Sequence, residues 1–505
     1  MKQTAAFKQE ICWPQVLVGS LSVLAAGLLI ALFPVQSEAL LDRIFQWSIG
    51  TFGAFFQWVA LLGMFFLIWL AFSRHGSIKL GEGKPEFSKL QILFMVICAG
   101  FGAATLYWGF IETTYYCFEP PFGLAPGSPE AFEMALPYNF FHWGPSIAWT
   151  GYTLCSIPIA YALYVCKQRD LKFSSVCNLI LHGRLPRFVL GFIDVLFIFV
   201  TLCGTCISLG VSLPVISAII SISFGLENSI YISLVMIALI FVVFVISSMR
   251  GLSKGMSKLS DLNAVLCVLF VLGVFVIGPK QFTMDNTTNA LGIMVKEFFR
   301  MSTWLSPIEG DPFPRVWTVF FIAYWLTFGP FVGIFLAKVS KGHRLKDLIA
   351  ISLGGGTIGS FLINGVLQNY TLDKLLHNQL DLTNTFLAGH DDYYIVNIMQ
   401  SMPLSGLFIA IFAVTAILFM ATTLDSCAFS LAAVSCKRLD EQGEPSRAVK
   451  LFWCLMLTFL PLVLTFINAS LTTIKTMGII ATVPMTMVLC IMVAGTFREL
   501  NRKPE

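Results

Sequence analysis

Charge is what this sequence is shortest of. Only 12% of its 505 residues are charged against 57% hydrophobic, the mean hydropathy is +0.80, and no stretch reads as a hidden soluble domain. The composition is that of an all-α polytopic membrane protein, to which soluble-domain arithmetic does not apply. Histidine is nearly as scarce: of six, only His142 falls at membrane depth. No Ser/His/Asp, Cys/His or metal constellation lies in the apolar runs, so no enzyme is expected, and no cofactor or nucleic-acid partner. The 13 cysteines sit mostly inside those runs. Cys203 and Cys206 form one CxxC, which without a second pair or nearby histidines reads as a small-residue helix face. Ionisable residues within the runs reduce chiefly to Glu112, Asp194 and Asp425, each read as capping or pairing at a helix end. Their small number disfavours a strongly charged metal as cargo.

Apolar runs are what the chain has in plenty. They lie near 14–33, 51–72, 91–116, 139–166, 188–222, 229–248, 260–278, 314–338, 347–368, 404–434, 448–468 and 474–496, and predict twelve transmembrane helices. Lys and Arg cluster at the N-terminus and in every second loop: Arg74–Lys89, Lys167–Arg187, Arg250–Lys258, Lys338–Lys346, Lys437–Lys450 and Arg498–Lys503. By the positive-inside rule both short tails, 1–13 and 497–505, are expected in the cytoplasm. The first run is too long for a cleaved signal and reads as the first span; spans 1–2, over 14–72, are expected as a peripheral pair outside the repeats. The gap 279–313 has room for an interfacial helix near Ala290–Met301. The third run (Cys98-Ala-Gly-Phe-Gly) and the eighth (Gly329-Pro330) both carry helix breakers. Two broken helices five spans apart predict inverted five-helix halves, spans 3–7 and 8–12, over 91–278 and 314–496.

The eighth run also carries the strongest chemical signal. At about 100° per residue Trp317, Phe321, Tyr324, Phe328 and Phe331 share one helical face, with Trp325 at its edge. Such a stripe is either a lipid-facing or core surface or one wall of a site. The third run adds Trp108, Tyr115 and Tyr116, and the fourth adds His142, Trp143, Trp149 and Tyr152. If the three helices converge, they box in a cation that cannot donate hydrogen bonds. A quaternary ammonium fits, because ring faces attract diffuse positive charge at roughly 2 kcal/mol per desolvated contact.

The segments Tyr107-Trp-Gly-Phe-Ile-Glu112, Phe141-His-Trp-Gly-Pro145, Gly251-Leu-Ser-Lys-Gly255, Trp317-Thr-Val-Phe and Gly333-Ile-Phe-Leu-Ala-Lys-Val-Ser-Lys-Gly342 resemble the betaine/choline/carnitine transporter family over nearly the whole chain. Glu119-Pro-Pro-Phe-Gly-Leu-Ala-Pro126 is most similar to its carnitine/γ-butyrobetaine antiporter branch. The resemblance implies twelve spans with LeuT-type inverted repeats, a homotrimer in the bacterial inner membrane, and transport of trimethylammonium zwitterions such as carnitine, γ-butyrobetaine or glycine betaine. It also implies that Tyr115, Trp143, Tyr324, Trp325 and Phe328 bind substrate, with Trp108, Trp149, Tyr152 and Phe331 on the site or pathway. Tyr324 stands where tryptophan is usual, and Phe328 where Trp or Tyr is found. Trp149 comes one residue later than the family's second tryptophan, which without a local bulge turns it and Tyr152 about 100° away.

For coupling, the antiporter branch resembled here has an arginine in place of sodium, where this chain has Ser257. Sodium-coupled members carry Phe-x-x-Thr-Ser, and this chain reads Phe419-Met-Ala-Thr422-Thr423. The two hydroxyls, the Phe419 carbonyl and the carbonyls near Cys98 and Phe101 would supply five hard oxygens for sodium. The competing reading is that both threonines bond back to carbonyls one turn earlier. The expectation is sodium-coupled symport, with sodium-independent exchange of one betaine for another as the transport alternative. A non-transporting receptor or a channel is the alternative from another class.

Overall fold

The computed structural model describes residues 11–502 apart from 103, 169, 383, 441–442 and 467–470, so the N-terminal stub lies mostly outside the described residues. Among these residues regular structure is helical, with two isolated β-bridges, Ile11 with Cys436 and Lys79 with Arg344. Each of the twelve apolar runs holds a helix over its described residues. Among the described residues nine helices are long and apolar enough to cross a membrane, or ten if the bent pair Lys89–Phe101 and Ala104–Phe118 is one span. The eleventh run is the 20-residue helix Arg447–Phe466. The fourth is split among Pro129–Trp143, a π-helical Pro145–Trp149, Thr150–Ala160 and a π-helical Tyr161–Val165.

Two expected lengths are corrected. The second run is the end of a 39-residue helix, Pro34–Phe72, which starts straight after the first because proline is preorganised for the opening turn. The helix expected near Ala290–Met301 runs over Lys280–Thr303. It is tied to the ninth run by Asn286, which donates to Asn369 Oδ1 at 2.7 Å, and by Asn369, which donates to Thr287 Oγ1 at 3.0 Å.

The expected breaks fare differently. Ser88 and Gln91 form a capping box that starts the third run. The run then bends by 64° after Phe101. Gly102 has φ +59°, and a Cβ there would lie 3.0 Å from Thr423 Oγ1, so both its conformation and its surroundings require glycine. In the eighth run no break occurs at Gly329-Pro330: one helix continues from Phe320 to Val339 after a π-helical turn at Pro314–Val319. These glycines serve close packing instead. A Cβ on Gly333 would lie 2.5 Å from Cys155 Cβ, and one on Gly329 3.0 Å from Cys155 Sγ and 3.2 Å from the Gly151 carbonyl oxygen. Small residues on both faces let the fourth and eighth runs approach closely, as membrane helices do. The positional argument for repeated halves therefore keeps one break of its two.

Every residue from Phe320 to Val339 is buried in protein. The aromatic stripe is thus an interior surface and not a lipid-facing one.

Candidate functional site

Rings from three runs close into a circuit. Trp143 meets Trp325 edge-on at 4.9 Å, Trp325 meets Tyr152 at 5.5 Å, Tyr152 meets Trp149 at 5.7 Å, Trp149 meets Phe101 at 5.2 Å, and Phe101 returns to Trp143 at 5.5 Å. All five are buried. Edge-to-face pairing turns ring edges, the electropositive part, toward neighbouring faces, so the circuit is self-satisfied while its rings touch.

Trp149 and Tyr152 reach this circuit because the π-helical turn at Pro145–Trp149 takes up one residue more than an α-turn. The local bulge cancels the rotation expected from the late tryptophan. Two bonds hold the result: Trp149 Nε1 donates to Ser360 Oγ at 3.0 Å, and the Tyr152 hydroxyl to the Gly100 carbonyl at 2.7 Å. Trp325 Nε1 is buried with no hydrogen-bond partner among the described residues. Leaving such a donor unpaired costs about 1–3 kcal/mol.

Tyr324 touches Trp325 at 5.6 Å and Phe328 at 5.0 Å, and Phe328 touches Phe331 at 5.7 Å. These three continue the wall away from the circuit. Tyr115 is not brought to it. Its ring packs on Trp317 at 5.0 Å and Phe386 at 4.8 Å, and its hydroxyl donates to Asp391 Oδ2 at 2.7 Å. Tyr107 donates to the same oxygen at 2.5 Å. Trp108 likewise packs on Phe321 at 5.4 Å and Trp317 at 6.3 Å.

Helical phase explains this. Tyr107 and Tyr115 share the face turned to Asp391, whereas Glu112 and Tyr116, at i and i+4, face the fourth run. Glu112 is fully buried there. Its Oε2 accepts from Trp143 Nε1 at 2.6 Å and its Oε1 from the Tyr116 hydroxyl at 2.7 Å. Tyr116 also lies 2.7 Å from His142 Nδ1, and His142 Nε2 lies 3.1 Å from Thr318 Oγ1. The capping role expected for Glu112 is thus replaced by a bond to a ring of the circuit. Its sequence signal was its place one turn before Tyr116 on a run that cannot afford idle charge.

The second cluster lies beside the Gly102 bend. Thr423 Oγ1 reaches across to the Cys98 carbonyl at 3.2 Å. Thr422 Oγ1 is 3.4 Å from the same carbonyl, and bonds back to the carbonyls of Leu418 at 3.0 Å and Phe419 at 2.9 Å. Both threonines therefore reach the Cys98 carbonyl, and Thr422 also bonds back within its own helix. Cys98, Phe419, Thr422 and Thr423 converge, while Phe101 gives its ring to the circuit. Ser257 is buried on the seventh run beside Met256, whose Sδ is 3.9 Å from Ser426 Oγ, one turn along from Thr422. No group of three or more His, Cys, Asp or Glu side chains that could hold a metal ion occurs among the described residues.

Residues 15–505 match the family described as BCCT, betaine/carnitine/choline family transporter. The chain is 35% identical over 445 residues, 88% of its length and 92% of the relative's, to the uncharacterized transporter YeaV of Escherichia coli. It is 33% identical over 475 residues, 94% of its length and 86% of the relative's, to a carnitine transporter of Acinetobacter baumannii. Members of this family are transporters and not enzymes. A matched length of this order, together with the apolar helices, makes the chain a multi-pass membrane protein belonging to the betaine/carnitine/choline transporter family.

Proposed function

We propose that the protein is a secondary transporter of trimethylammonium zwitterions, carnitine, γ-butyrobetaine or glycine betaine, working by alternating access and driven by sodium symport. The observation that carries the substrate class is the aromatic circuit of Phe101, Trp143, Trp149, Tyr152 and Trp325. Rings with no lysine or arginine among them suit a cation that offers methyl groups and no hydrogen-bond donor. At roughly 2 kcal/mol per desolvated contact, three or four rings supply micromolar to millimolar binding. The unpartnered Trp325 N–H supplies a donor for the carboxylate end of a zwitterion. A relative bearing the name carnitine transporter supports the same class.

For coupling, Ser257 leaves the seventh run without the arginine that characterises the resembled antiporter branch. The Thr423 bridge to Cys98 supplies oxygens suited to a hard monovalent cation. Sodium is cargo here, held by the hydroxyls of Thr422 and Thr423 and the carbonyls of Cys98, Phe419 and Phe101. The architecture that goes with this reading is twelve crossings, inverted halves over runs 3–7 and 8–12, both termini in the cytoplasm, and a homotrimer in the bacterial inner membrane. Alternation of basic clusters along the chain supports the orientation. The second reading, sodium-independent exchange, is favoured by the likeness of Glu119–Pro126 to the antiporter branch.

Uptake of radiolabelled carnitine and glycine betaine into proteoliposomes separates them. Accumulation that requires an inward sodium gradient and ignores internal γ-butyrobetaine supports symport. Uptake that requires internal substrate and ignores sodium overturns it in favour of exchange. Saturable binding without accumulation would indicate a receptor, and flux that never exceeds equilibrium a channel.

A further inference from the structure

We propose that Glu112 sets how strongly the aromatic circuit attracts positive charge, acting through the indole of Trp143 without touching the ligand. This inference rests on the substrate class proposed above. Glu112 accepts from Trp143 Nε1 at 2.6 Å on one oxygen and from the Tyr116 hydroxyl at 2.7 Å on the other; both bonds favour the ionised carboxylate, the form proposed for it here. No lysine or arginine pairs with it among the described residues; its one ion-pair neighbour is His142, with Nδ1 3.4 Å from Oε1.

With Glu112 ionised, the hydrogen bonds run one way. Tyr116 has a single proton and gives it to Glu112, so its oxygen accepts from His142 Nδ1–H at 2.7 Å. In the neutral imidazole ring Nε2 then accepts from the Thr318 hydroxyl at 3.1 Å. From the eighth run to the third, every donor in the chain points toward Glu112. In that form the chain holds Glu112 in one orientation against Trp143, with no lysine or arginine paired to it among the described residues.

An indole N–H bonded to a carboxylate is a charge-assisted donor, and the bond pushes electron density into the ring. The face of Trp143 becomes more negative, which strengthens a cation–π contact and leaves a dispersion contact nearly unchanged. Trp143 is also the ring that touches both Trp325 and Phe101. Glu112 is therefore a positioning and tuning residue whose effect scales with ligand charge.

That dependence separates tuning from packing. Competition binding to the purified protein compares a trimethylammonium ligand with its neutral isostere, in which a quaternary carbon replaces the nitrogen. Glu112→Gln keeps the shape and removes the charge. Its expected effect is to weaken the trimethylammonium ligand about tenfold, the scale of one strong cation–π contact, and the neutral isostere by less than about twofold. In a Trp143→Phe background, which lacks the N–H, Glu112→Gln should add less than about threefold, because coupled residues are not additive. Tyr116→Phe keeps both the carboxylate and the Trp143 bond and should preserve the charge preference. It also provides the test should Glu112→Gln fail to fold, together with Trp143→Phe alone, which should erase part of that preference. Equal weakening of both ligands by Glu112→Gln, or a charge preference lost in Tyr116→Phe but kept in Trp143→Phe, would overturn the inference alone. No saturable trimethylammonium binding by the wild type would overturn the substrate class as well.

Discussion

The third run bends by 64° at Gly102, whereas the eighth passes through Gly329 and Pro330 as one helix, although Gly-Pro is the stronger breaker on paper. The difference lies in what surrounds each glycine. Gly102 has φ +59° and Thr423 Oγ1 and Ser208 Oγ about where a side chain would go, so the backbone has turned away from helix to meet polar groups. Gly329 and Gly333 face Gly151 and Cys155 on a neighbouring helix, and there the missing side chains bring two helices together. Glycine in a membrane helix thus marks either a bend or a close contact, and only the partner decides which.

Substitutions can break that contrast, and the largest effect is expected at the bend. Gly102→Val would force a β-branched side chain into a left-handed conformation and against Thr423, costing upward of 1–3 kcal/mol of strain and at least about tenfold in uptake. Uptake and thermal unfolding of the same preparation check it, and near-normal values for both would remove the bend from the account. At the close contact Gly333→Ala should destabilise by about 1–3 kcal/mol through overpacking. Adding Cys155→Gly should recover only part of it, read as the melting temperature in detergent, because the Cys155 carbonyl carbon at 2.9 Å and Ser156 N at 3.1 Å stay in place; no recovery at all would mean the side-chain contact is not what limits the approach.

Next in size come the threonines beside the bend. Under the proposed sodium symport, Thr423→Ala removes the hydroxyl that crosses to Cys98 and should raise the half-saturating sodium concentration about tenfold, more than Thr422→Ala, whose hydroxyl is also satisfied within its own helix. Equal shifts, or none, would reverse the distinction drawn between them. The smallest effect is expected at the proline. Because the helix already continues through it, Pro330→Ala should leave uptake within about twofold of wild type and stability unchanged or slightly raised. A large loss would reinstate a functional break at that point.

Much of this arrangement could be read from residues alone. Runs of about 20 apolar residues locate helices because the bilayer leaves the backbone few alternatives, and Trp143 and Trp325 stood out as site residues by type, with Trp149 and Tyr152 placed on the site or pathway although their spacing turned them away. Three things could not be read. The π-helical turn at Pro145–Trp149 has no residue pattern of its own, and it alone decides that Trp149 and Tyr152 join the circuit. The phase of Ala104–Phe118 is set by Asp391, far along the chain, which takes both Tyr107 and Tyr115. Phe101 entered as a carbonyl only, and its ring is found in the circuit as well, because a residue next to a bend presents backbone and side chain to different neighbours.

The most direct test of the account is equilibrium binding of radiolabelled carnitine and glycine betaine to the purified protein, with Trp143→Ala and Trp325→Ala measured beside it. The aromatic circuit predicts saturable wild-type binding in the micromolar to millimolar range that weakens at least about tenfold in each variant. Binding untouched by both substitutions, or no saturable binding of either ligand, would contradict it.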